Sequence, residues 1–152
     1  MSSLVDNLNK PIGLASDHAG FDAKSYIISV LQDMGLEYID FGTKSTESTD
    51  YADYAHLLAK SVESGECKFG IAICSTGNGI NMTMNKHQGI RAALCWSPDT
   101  AFYARSHNDA NVLSLPGRLL TNEEFYEILK MFLNTPFEGG RHQRRIDKIP
   151  CG

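Results

Sequence analysis

Five short apolar runs recur along the chain: Ile12–Ser16, Tyr38–Phe41, Phe69–Cys74, Ile90–Cys95 and Asn111–Leu115. Their near-continuous apolar character suits strands buried on both faces of a parallel sheet. Between them the periodicity changes. Ile27, Val30, Leu31 and Met34 fall at i, i+3, i+4, i+7, which is one face of a helix. Tyr51, Ala55, Leu58 and Val62 make a second such face, and Phe125, Ile128, Leu129 and Phe132 a third. Thr121 and Glu124 have the spacing of a capping box at the start of the third helix. Ser97-Pro98 reads as an N-cap followed by proline at the first helical position. Strand–helix alternation of this kind predicts an α/β fold: a three-layer α/β/α sandwich, Rossmann-like, with about five parallel strands and right-handed crossovers. In such sheets ligands bind beyond the carboxyl ends of the strands.

A length of 152 residues suits one domain over residues 1–152, with a basic C-terminal segment at 139–152. The formal net charge of −4 disfavours nucleic acid and anionic membranes as partners. The longest apolar runs fall far short of a membrane span. Met1–Lys10 shows no basic start followed by an apolar stretch, so no secretion signal is expected and a cytoplasmic location is. The four cysteines, Cys67, Cys74, Cys95 and Cys151, include no CxxC pair, which argues against thioredoxin-type chemistry and zinc. The spacing of His, Cys and carboxylates gives no metal-ligand pattern, so neither a metal nor a cofactor is expected.

The strand ends carry the polar groups. The first run leads into Asp17-His18-Ala19-Gly20, and the third into Cys74-Ser75-Thr76-Gly77-Asn78-Gly79. His107-Asn108-Asp109 precedes the fifth run, which exits to Pro116-Gly117-Arg118. The chain closes with Gly139-Gly140-Arg141-His142-Gln143-Arg144-Arg145. Each piece has a plain structural reading. Asp17 can cap a helix. Cys74 can be a small buried hydrophobe. The glycine-rich loop lacks the P-loop lysine and the full GxGxxG pattern. His107 can be a surface histidine, and the arginine cluster a solvated face. Together they suit one task, holding a small phosphorylated anion and moving protons on it. Guanidiniums bind phosphate in a fork, backbone N–H groups at a turn stabilise an oxyanion, and thiolate and imidazole exchange protons near neutral pH. Arg141 and Arg145, four residues apart, fall on one face of any helix they share.

These segments also carry a family resemblance. Asp17–Gly20, Asp40–Thr43, Cys74–Ile80, Asn85-Lys86, Gly89–Ala92, His107–Val112 and Glu138–His142 resemble, in order, the ribose/galactose-6-phosphate isomerase family. His-Asn-Asp and Gly-Gly-Arg-His resemble its type B ribose-5-phosphate isomerase branch. The resemblance implies interconversion of ribose 5-phosphate and ribulose 5-phosphate without metal or cofactor. It implies Cys74 as the base moving a proton between C2 and C1, and His107, with Asp17 nearby, as the ring-opening acid/base. Ser75, Thr76, Gly77, Asn78 and Gly79 are implied as the cradle of the enediolate. His18, Asn108, Arg118, Arg141 and Arg145 are implied as ligands of phosphate and sugar. Some members use a glutamate just after the second loop glycine; Ile80 stands there, which implies the cysteine-using branch. The implied assembly is a homodimer, or a dimer of dimers, with sites at the subunit interface. Three other readings stand beside this one. They are an isomerase of six-carbon sugar phosphates, a non-catalytic flavodoxin-like module, and a redox thiol protein.

Overall fold

Residues 8–152 are described by a computed structural model. Most of the Met1–Lys10 stretch lies outside them.

The chain alternates as the periodicity predicts. The elements are β1 Ile12–Ser16, α1 Phe21–Asp33, β2 Tyr38–Asp40, α2 Tyr51–Glu63, β3 Phe69–Cys74, α3 Asn78–Met84, β4 Ala92–Leu94, α4 Pro98–Ser106, β5 Val112–Pro116, α5 Asn122–Asn134 and α6 Arg141–Ile146. The strands form one parallel five-stranded sheet in the order β2-β1-β3-β5-β4. From β1 the chain crosses to β2 on one side and then to β3 on the other. The topological switch therefore lies between β1 and β3, where an open parallel sheet forms its crevice.

Strand periodicity divides the core in two. Ile12, Leu14, Ile71, Ile73, Leu113 and Leu115 pack with α1, α4 and α5, including Ile27, Leu31, Phe125 and Phe132. Ala15, Ala72, Cys74 and Val112 pack with α2 and α3, including Leu58, Ile80 and Met84. The second face is built from small residues because α2 sits close to it. A Cβ on Gly13 would stand 2.6 Å from Leu58 Cδ1.

Both sequence-read caps form. Thr121 Oγ1 accepts from Glu124 N while Glu124 Oε1 accepts from Thr121 N. Ser97 caps α4 with Pro98 at its first position. Three expectations need correction. The runs read as fully buried strands at residues 38–41 and 90–95 contract to Tyr38–Asp40 and Ala92–Leu94 and are only half-buried, because β2 and β4 are the sheet edges. Arg91 N, just before β4, donates to Asn111 Oδ1 instead of joining the ladder. Tyr51, counted on the buried face of α2, is 40% exposed. Its ring lies over Gly79, where any Cβ would come within 2.4 Å of it.

Candidate active site

The exits of β1, β3 and β5 lie side by side. Ser16 pairs with Ile73 across β1 and β3, and Cys74 with Pro116 across β3 and β5. Gly117 N donates to Cys74 O at 2.8 Å and Arg118 N to Ser75 O at 3.1 Å. These bonds fix the direction in which both chains leave the sheet. Cys74 is nearly buried at 4% exposure. Beyond it Thr76 Oγ1 accepts from Asn78 N, a local turn that arranges successive N–H groups before α3. Gly77 has φ +80°, and its missing side chain leaves room for Leu94 and the Leu115 backbone. Only glycine meets both demands there. Ile80, the next loop position of interest, is fully buried among α2 and α3.

Asp17 follows β1. Its Oδ1 accepts from Gly20 N at 3.0 Å, so the capping reading holds, for a single 3-10 turn at His18–Gly20. Gly20 packs against the Ile73 carbonyl, where a Cβ would come within 2.6 Å of the oxygen. That contact brings Asp17 and His18 beside the Cys74 exit. His18 Nδ1 accepts from Thr49 N at 3.1 Å, which leaves Nε2 as its donor nitrogen. The Thr49 loop is anchored by Lys24, which reaches across from α1. Its ammonium pairs with Asp40 Oδ1 at 2.6 Å and donates to Thr43 O. Burial pushes the Lys24 pKa down against the opposing pull of Asp40. Burial alone would raise the Asp40 carboxyl, but Lys24, Gly42 N–H and Lys44 together hold it below the ordinary carboxylate value. Sequence reading missed Lys24, because a lone lysine in an amphipathic helix looks like any solvated residue.

His107 sits elsewhere. It caps the C-terminus of α4, five residues before β5 begins. β5 runs parallel to β3, with Val112 opposite Gly70 and Pro116 opposite Cys74. His107 and Cys74 thus stand at opposite ends of the sheet, separated by about 13 Å of strand at 3.3 Å per residue. The His107 end has its own supports. Arg105 is nearly buried over the Phe69 ring and binds Asp109 Oδ1 and Ala110 O. Arg91 donates to the carbonyls of Asn108 and Asp109. Asp109, at φ +46°, turns the chain between them. The C-terminal segment docks on this loop, with Glu138 N donating to Ser106 O. His142 stacks on His107 with ring centroids 4.3 Å apart and 18° between planes.

The predicted site residues therefore form two sets. Asp17, His18, Cys74, Ser75, Thr76, Gly77, Asn78, Gly79 and Arg118 gather at the carboxyl end of the sheet. His107 and Asn108 lie at the amino end, with α6 and its exposed Arg141 and Arg145 alongside. Glu138 and His142 join the second set. Sequence spacing gave no signal for their contact with His107, because the link is tertiary. Among the described residues no helix is long and apolar enough to cross a membrane. All four cysteines are free, with Cys67, Cys74 and Cys95 buried and Cys151 exposed.

Comparison with known proteins bears on the family and the fold. The family model described as Ribose/Galactose Isomerase matches residues 12–149. Ribose-5-phosphate isomerase B of Escherichia coli strain K12 is 44% identical over 140 residues, covering 92% of this chain and 94% of the relative. A ribose 5-phosphate isomerase from Thermotoga maritima superposes with a TM-score of 0.92 at 50% identity, covering 94% of this chain and 99% of the other. Ribose-5-phosphate isomerase B from Mycoplasma genitalium, solved with bound ribulose 5-phosphate, superposes with a TM-score of 0.89 at 43% identity, covering 94% and 95%. With a family-model match running from β1 to the C-terminal segment, and relatives more than 40% identical over more than nine-tenths of both chains, this chain belongs to the ribose/galactose isomerase family.

Proposed function

We propose that this chain interconverts ribose 5-phosphate and ribulose 5-phosphate, in an active site assembled from two copies of the chain. The observation that carries the reading is the family match at this coverage, including a relative solved with ribulose 5-phosphate bound. The polar groups then take roles their chemistry allows. Cys74, as thiolate, takes the proton from C2 of the open-chain aldose and returns it to C1, while the hydroxyl proton passes from O2 to O1. The N–H groups of Ser75–Gly79, with the Thr76 hydroxyl, face the oxyanion of the enediolate. Buried Ile80 offers no competing carboxylate base. His107 assists ring opening, a proton transfer at the ring oxygen and the anomeric hydroxyl, and Asp17 lies on the thiol's side of the sugar. His18, Asn108, Arg118, Arg141 and Arg145 hold the phosphate and the sugar hydroxyls.

A single chain cannot bring these groups to one five-carbon sugar, because Cys74 and His107 stand at opposite ends of the sheet. A two-fold dimer resolves this by setting the carboxyl end of one sheet against the amino end of its partner's, twice over. Exposed apolar side chains on the relevant elements support such burial: Met82 on α3, Trp96 after β4, Phe102 and Tyr103 on α4, and Leu119 after β5. The test is an isomerisation assay across five- and six-carbon sugar phosphates with purified protein. The reading expects turnover of ribose 5-phosphate to exceed that of allose 6-phosphate and galactose 6-phosphate. A six-carbon preference would overturn the substrate and keep the reaction class.

A further inference from the structure

His107, Glu138 and His142 each offer one ligand atom, and all three atoms lie within 4.8 Å of one another. His142 Nε2 is 3.3 Å from Glu138 Oε2, and His107 Nε2 is 3.9 Å from Glu138 Oε1. Donors bound to one zinc ion at about 2.0–2.2 Å stand roughly 3–4 Å from each other; each imidazole already stands at that distance from one oxygen of Glu138, and the set as a whole, within 4.8 Å, has only to draw slightly closer. We infer that His107, Glu138 and His142 form a three-donor site for a divalent transition ion of the zinc class, one that shares His107 with the proposed ring-opening chemistry and adds Glu138 and His142 to it. Two imidazoles and one carboxylate, with a position left open, are a zinc donor set. Magnesium and calcium, which take oxygen ligands, fit it poorly.

The framework around the three donors is preformed. His142 is 7% exposed, and Glu138 is tied to the end of α4 through its backbone N–H to Ser106 O. Gly139 and Gly140, at φ +72° and +58°, reverse the chain between them, so that Glu138 and His142 face one point. The two rings lie nearly parallel, so one must tilt to aim its lone pair at a shared ion. His107, whose side chain is 35% exposed, is the one with room to do so. A second histidine pair differs in kind. His56 Nδ1 and His87 Nε2 lie 2.7 Å apart, and His87 Nδ1 is spent on Glu63. Those groups form a chain of hydrogen bonds, with no common centre.

Ion binding would occupy His107 Nε2. If His107 opens the sugar ring, zinc is then an inhibitor, a consequence that rests on the proposed function; the binding itself does not. The test is calorimetric titration of zinc into chelator-stripped, full-length protein, with circular dichroism to confirm the fold of each variant. One ion per chain is expected in the wild type. Glu138→Gln and His142→Asn should each weaken binding at least about tenfold, the scale set by losing even an outer partner of a metal site. His56→Asn combined with Cys151→Ser should leave binding unchanged. Cobalt titrated in place of zinc should give visible ligand-field bands without a thiolate charge-transfer band. The inference is overturned by absence of saturable binding, by a thiolate band lost in Cys74→Ser, or by dependence on His56 and Cys151. In the isomerase assay zinc should inhibit, and chelator should restore full activity. A protein that binds zinc this way but isomerises no sugar phosphate refutes the function and leaves the metal site standing.

Discussion

Lys24 is fully buried at 1% exposure, and it is charged. Lys24→Met keeps the length and apolar stem of the side chain and deletes the ammonium. Two things are lost: the 2.6 Å ion pair with Asp40 and the hydrogen bond to Thr43 O. Removing one partner of a fully buried pair costs about 3–5 kcal/mol, because it strands the other charge. Here Asp40 is 18% exposed and keeps Gly42 N–H at 2.9 Å and Lys44 at 3.2 Å. Deleting the ammonium also relieves its own desolvation. Both corrections move the expected cost to about 2–3 kcal/mol, which at this chain size is a fall in Tm of about 4–12 °C. The pH dependence has a definite sign. Asp40 has a lowered folded pKa, so its contribution is present above the ordinary carboxylate pKa and is lost as pH falls through the folded value. The gap between wild type and Lys24→Met should be largest at neutral pH and narrow below about pH 4. Urea melts at pH 7 and pH 3.5 measure it. A gap under about 1 kcal/mol at pH 7, or one equally large at pH 3.5, refutes the assignment of Lys24 as anchor of the loop that holds His18.

The other predictions concern the site directly. Cys74→Ser should fold and bind substrate nearly as wild type while kcat falls about a hundred- to ten-thousand-fold; near-normal kcat in the folded variant would remove Cys74 as the base. In thiol labelling near pH 8, exposed Cys151 should react first without loss of activity. Cys95, which burial pushes up to about 11, should stay unlabelled, and inactivation should track Cys74 and be slowed by substrate. Arg141→Ala and Arg145→Ala should raise KM more than they lower kcat, because phosphate is held alike in ground and transition states; unchanged KM in both would leave α6 a solvated face. His107→Ala should slow turnover of the cyclic aldose much more than that of ribulose 5-phosphate, as initial rates in the two directions can show; equal losses would argue against a role in ring opening.

Much of the fold was legible because its signals are local. β1 and β3 match the apolar runs residue for residue, and the Thr121–Glu124 box and the Ser97-Pro98 cap need only three or four neighbouring residues. Edge strands were misjudged because an apolar run does not say whether a second neighbour covers it. Tyr51 was misplaced because helical periodicity cannot tell a core contact from a ring resting on a glycine. The Cys74 loop and Asp17 lie at the carboxyl end of the sheet, where chain order put them, since both follow strands and parallel strands all end on one side. The same logic did not separate His107 from that set. His107 precedes its strand where Cys74 follows one, and in a parallel sheet that difference puts them at opposite ends. Lys24 and the grouping of His107 with Glu138 and His142 were invisible, because each depends on segments brought together only by packing.

The division of the site between two chains is best tested by subunit complementation. Cys74→Ser and His107→Asn chains carry different affinity tags and are expressed together, and the doubly tagged species is purified. A shared-site dimer of this kind holds one site with both groups intact and one with neither, so it should recover about half of wild-type activity per dimer. With ribose 5-phosphate as substrate, each homodimer of a single variant should stay close to inactive. A doubly tagged dimer no more active than the two single-variant proteins would mean that Cys74 and His107 act within one chain, and would contradict the account.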